Sequence, residues 1–131
     1  MLRSICAVII SVDTWFLVAT VGNLLLRALL PGYTAVEAAM SFTLPMKLAR
    51  LALGLISSLS AGIVCAAIAN PGSQAAKVVA GIMVALFIPV HYMLWAKFPV
   101  WYHLFFLLSL APAVLLGASM LPKRSMEKLA T

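Results

Sequence analysis

Four stretches of this chain run for about twenty residues on almost nothing but apolar side chains. A bilayer core of about 30 Å takes about 20 apolar residues to cross as a helix, so each stretch is long enough to span. The stretches read as helices over about residues 4–29, 44–69, 75–96 and 98–121. Lipid offers no partner for a backbone N–H or C=O, which leaves helices or a closed barrel as spanning structures. Strand-like alternation is absent, so the expected fold is all-α: an integral membrane four-helix up-down bundle, one domain over 1–131 that ends in a short basic tail at 122–131.

Composition supports the same reading. Of 131 residues, 65% are hydrophobic and 9% are charged. A soluble domain carries about half and about a quarter, so the surplus apolar surface needs lipid. The net charge of +6 would suggest nucleic acid on a soluble protein. Here the cations stand singly at the ends of apolar runs, apart from Lys123-Arg124, which is how headgroup-facing charge is placed. The expected partner is the bilayer, with no nucleic acid.

The breaks have local chemistry. Leu30-Pro31-Gly32 ends the first helix, since proline cannot continue it and glycine permits the turn. Thr43 is placed to cap the second helix, with Pro45 in its first turn. Asn70-Pro71-Gly72-Ser73 is a turn, and Lys97 with Pro99 marks an abrupt reversal before the fourth helix. The longest loop contains TAVEAAM, which reads as one or two turns of interfacial helix capped by Thr34. Met1-Leu2-Arg3 and the run behind it have the layout of a signal peptide. Asp13 interrupts that run and no small-x-small site follows, so a retained helix is expected. Basic residues at Arg3, Lys77, Lys123, Arg124 and Lys128, against Arg27, Lys47, Arg50 and Lys97, lean towards cytoplasmic termini.

Few residues carry chemistry. Asp13 lies within the first apolar run, where a carboxylate is costly and needs a partner. Cys6, Asp13, Thr20 and Arg27 recur every seven residues and share one stripe, with Asn23 beside it. That stripe is expected to face protein, either as a hydrogen-bonded helix contact or as a proton or ligand path. On the second helix Gly54, Ser58, Gly62 and Ala66 recur every four residues, beside Ser57, Ala61, Cys65 and Ala69. Small residues at that spacing let backbones approach closely, as the seam of the bundle or as a face for another subunit. Cys6 and Cys65 have no CxxC partner and read as small side chains in apolar runs.

His91 and His103 stand at matched distances from the third turn, hence at similar depth on neighbouring helices. Tyr92, Trp95, Trp101 and Tyr102 around them form an aromatic belt. A histidine pair there also has the residue types for haem or quinone. Arg27, Lys47, Arg50 and Lys97 fall near the same membrane face. They either snorkel to headgroups or frame, with the histidines, a site for a lipid phosphate or quinone head. No phosphate loop, HExxH, GxSxG or carboxylate pair is present, so no catalytic residue, metal or cofactor is assigned.

KFPVWYHLFFLLSLAPAVLLGA, together with SSLSAGIVCAAIA, resembles a group of small four-span bacterial inner-membrane proteins without assigned activity. The likeness rests on a Gly- and Ala-rich second helix and a Phe-Pro-x-Trp-Tyr-His start to the fourth, and covers roughly half the chain. It implies the bacterial cytoplasmic membrane and transfers no functional residue. The expected role is a non-enzymatic accessory or scaffold protein, packing against itself or a larger membrane complex. The alternatives are a small oligomeric transporter or channel using the Asp13 stripe, and a redox subunit binding haem or quinone.

Overall fold

The structure is a computed structural model, and it describes residues 1–71 and 73–121. Gly72 of the tight turn and the basic tail, with Lys123, Arg124 and Lys128, lie outside the described residues. Four long helices form the body: α1 over Leu2–Leu29, α3 over Leu44–Ala69, α4 over Ala75–Met93 and α5 over Val100–Ser119. Each is long and apolar enough to cross a membrane, which makes this a multi-pass, all-α membrane protein. A five-residue helix, α2 over Tyr33–Glu37, fills the first long loop. It starts one residue before Thr34, because Gly32 turns the chain in the left-handed region (φ 78°) and the Tyr33 ring is fully buried. The third spanning helix stops at Met93 rather than 96. There the bonds Trp95 N to Tyr92 O and Lys97 N to Leu94 O tighten the backbone into turns ahead of Pro99.

The long helices alternate in direction, but chain neighbours are not always the closest partners. α3 packs most extensively on α5 and α1, α4 leans on α5, and α4 touches α1 and α3 less. α3 and α5 therefore run side by side in the same direction. Their approach is set by two glycines. A Cβ on Gly62 would collide with the Val114 carbonyl and the Ala118 amide, and one on Gly117 would collide with the Leu59 carbonyl. Burial does not drive helices together in lipid, so such backbone contact supplies the attraction through dispersion. Gly54, Ser58, Gly62 and Ala66 are all buried within the bundle, so this face belongs to the internal seam and is closed to another subunit.

The core changes character along the membrane normal. Towards the α3–α4 turn it is built of Ala7, Ala61, Cys65, Ala66, Val79 and Ala80. Towards α2 it is aromatic, with Tyr33, Phe42, Phe98 and Tyr102 around Met46 and Leu51. Small side chains close the first half. Between the two halves the Trp15, Phe87 and Phe106 rings pack together where α1, α4 and α5 meet.

Candidate functional site

Where the rings take over, a cavity of about 380 Å³ opens between α1 and α4. Its walls include Trp15, Phe87 and Phe106, whose rings lie 4.7–6.3 Å apart. Phe16, Leu24 and Val90 also line it and are exposed on the outer surface, so the mouth faces sideways into lipid. Its polar end holds Asn23, Arg27, Glu37, Arg50 and His91.

One hydrogen-bond chain organises that polar end. Arg50 Nη1 donates to Tyr33 Oη (2.7 Å), and the Tyr33 hydroxyl donates to Asn23 Oδ1 (2.7 Å). Asn23 Nδ2 then donates to Glu37 Oε1 (3.1 Å). Arg27 closes the chain from the other side, with Nε to Glu37 Oε2 (2.7 Å) and Nη2 to Oε1 (2.8 Å). This two-pronged arrangement is the strong form of an arginine–carboxylate pair. Hydrogen bonding from Arg27 holds the Glu37 carboxyl below its ordinary range. Partial burial opposes that shift, and Asn23 and the charges of Arg27 and Arg50 add to it. α2 thus contributes both Tyr33 and Glu37, and through them fixes Asn23 of α1 and Arg50 of α3.

Arg50 is the residue with unfinished business. Its guanidinium lies over the Phe42 ring, 4.7 Å from the centroid. Its Nε is buried and has no hydrogen-bond partner, the one such side-chain atom among the described residues. A buried unpaired donor costs about 1–3 kcal/mol, and more on a charged group; the Tyr102 hydroxyl stands beside the same guanidinium.

The histidines meet. His91 Nδ1 and His103 Nδ1 are 2.7 Å apart, and His103 Nε2 lies 3.3 Å from the Trp95 carbonyl. Trp95 stacks on the His103 ring at 4.9 Å. Both rings are buried, but only His91 lines the cavity. Nitrogens in hydrogen-bond contact leave no room for an iron between them, so a haem held by this pair does not fit the geometry. Among the described residues no group of three His, Cys, Asp or Glu side chains is placed to hold a metal ion.

Lys47 and Lys97 do not line the cavity, so the basic rim reduces to Arg27 and Arg50. The α1 stripe divides. Asn23 and Arg27 join the polar network, Thr20 is exposed but lines the cavity, and Asp13 is exposed and lies outside it. The expectation that Asp13 faces protein fails within the single chain. Trp15 is the reason: two residues on, it lies about 200° round the helix and takes the inward face, where its Nε1 donates to Ser58 Oγ (3.0 Å). Arg3 donates through Nε to the Ile68 carbonyl at one end of the bundle, and Arg27 marks the other. Asp13 is ten residues from Arg3, about 15 Å along the axis, near the centre of a 30 Å core.

Sequence reasoning missed Tyr33, Glu37, Trp15 and Phe87 as parts of the site. Glu37 carried a readable signal, being an acid in a loop close to two arginines. No family model, curated protein or solved structure matches this chain.

Proposed function

We propose that this is a non-enzymatic accessory protein of the bacterial cytoplasmic membrane, and that it holds an amphipathic, membrane-dissolved molecule in the cavity between α1 and α4. The observation that carries the reading is a slot walled by Trp15, Phe87 and Phe106 with the Arg50 guanidinium at its polar end. A cation at the polar end and rings above it suit a ligand with an oxygen-bearing head and an apolar body. The sideways mouth suits entry from the leaflet.

Native mass spectrometry of protein released from membranes tests this. The wild type should carry one bound amphiphile. Arg50→Met, which removes the guanidinium, and Ala19→Phe, which fills the slot from a lining position, should each lose most of it. An empty wild type, or variants that retain the same species at the same level, would sink the reading.

A second reading concerns partners and rests on Asp13. A carboxyl exposed to lipid at mid-depth is costly, and the cost disappears if another helix covers it. Two copies of α1 packed in parallel would bring Asp13 against Asp13, able to share a proton, with Cys6 and Thr20 in the same seven-residue register. Such a pair should form a disulfide through the exposed Cys6 under mild oxidation in membranes, and Asp13→Leu should reduce its yield several-fold. A Cys6 crosslink that is absent in the wild type, or indifferent to Asp13→Leu, removes it.

A further inference from the structure

We propose that the cavity selects a hydroquinone-type head, a ring bearing hydroxyl groups, over the corresponding quinone and over a phosphodiester headgroup. The proposal rests on the reading of the cavity as a ligand site and deepens it. It follows from which nitrogen of each histidine can carry a proton.

The Trp95 carbonyl can only accept, so His103 Nε2, 3.3 Å away, is the N–H that donates to it. A neutral imidazole has one N–H, which makes His103 Nδ1 a bare lone pair. His91 Nδ1 at 2.7 Å must then be the donor of that contact. His91 in turn has spent its one N–H, and its Nε2 is a lone pair. His91 lines the cavity, and among the described residues its Nε2 takes part in no hydrogen bond. Besides the Tyr102 and Thr20 hydroxyls, which can donate or accept, the cavity therefore presents an acceptor, His91 Nε2, and at its polar end a donor, the Arg50 guanidinium.

A ligand that satisfies both must give a proton to one and accept from the other. A hydroquinone does so, donating a hydroxyl to His91 Nε2 and presenting oxygen to Arg50. Its flat ring matches the aromatic walls. The oxidised quinone carries only acceptors, so an oxygen at His91 would face a lone pair with a lone pair. A phosphodiester head without hydroxyl or ammonium donors, such as phosphatidylcholine, suits Arg50 and has nothing to give His91. Leaving one buried polar group unmatched disfavours the quinone, so the hydroquinone should bind on the order of tenfold more tightly than the quinone. A tenfold preference for the reduced form raises the two-electron midpoint potential of the bound couple by about 30 mV. His103 is the positioning residue: it touches no ligand and sets the His91 tautomer.

The test uses the full chain in lipid nanodiscs and three probes: a decyl-substituted benzohydroquinone, its benzoquinone, and the dimethyl ether of the hydroquinone. The ether keeps shape and oxygens but has no donor. Occupancy is read by native mass spectrometry under anaerobic conditions. On the wild type the hydroquinone should bind about tenfold more tightly than the other two, which should be alike. His91→Phe should bring all three to one level. His103→Phe, outside the cavity, should shrink the preference by freeing His91 to take either tautomer. Arg50→Lys should weaken all three together. The ligand comparison on the wild type stands even if a variant fails to fold. Equal binding of the three probes, or displacement of all three by phosphatidylcholine, overturns the hydroxyl selection and leaves the cavity as an amphiphile site. Absence of any Arg50-dependent binding removes both.

Discussion

At the scale of single residues, Glu37 shows how an exposed-looking loop acid becomes structural. It receives Arg27 and Asn23 and so ties α2 to α1. Its carboxyl titrates lower in the folded protein than in an unfolded chain, where the value is about 4.3. The stabilisation is therefore fully present above that value and is lost as pH falls through the lower folded one. Lowering the pH from 6 to 3 should reduce the amide protection factors of α2, taken relative to the intrinsic exchange rate at each pH, several-fold and leave those at the centre of α3 unchanged. Glu37→Gln should show the lower protection already at pH 6. Protection in α2 that is flat from pH 6 to 3 would mean the pair does not hold the loop. Asp13 is the residue whose reading changed most. Its cost in the membrane was legible from position alone, but its direction was not. Helical geometry puts Asp13 and Trp15 on opposite faces, and the sequence does not say which one turns inward. The Ser58 hydroxyl on α3, a tertiary partner, decides it.

At the scale of elements, the α3–α5 seam carries the tightest contact. Gly62→Ala should push α3 and α5 apart, since its methyl meets main chain that cannot turn aside, and should destabilise by about 1–3 kcal/mol. Gly81→Ala on α4 is the matched control. Its Cβ meets nothing within 4 Å, and the change should be neutral or stabilise by up to about 1 kcal/mol. Thermal unfolding in a mild detergent measures both, and equal melting temperatures for the two variants would refute the close-packing account. The four spans were legible because length and apolarity must match the bilayer whatever the tertiary arrangement. The small-residue row was legible as a close-packing face. Its partner was not, because spacing alone does not distinguish the chain's own α5 from a second subunit. The collisions at Gly62 and Gly117 make that distinction.

At the scale of the whole molecule, the gradient from alanine to aromatic side chains makes the site. A bundle closed by small residues along its full length would have no cavity, and one splayed by rings throughout would have no seam. Arg50 and His91 were readable as a pair of interest near one membrane face. Their shared cavity was not, because it depends on how the Trp15, Phe87 and Phe106 rings pack between α1, α4 and α5. The mouth of that cavity, marked by Phe16, Leu24 and Val90, opens on lipid. Occupancy is then governed by the mole fraction of ligand in the bilayer and not by its concentration in the surrounding water. Adding empty lipid at constant protein and ligand would drain the site by dilution in two dimensions, and a compound too polar to partition would never reach it, however well its head matched Arg50 and His91.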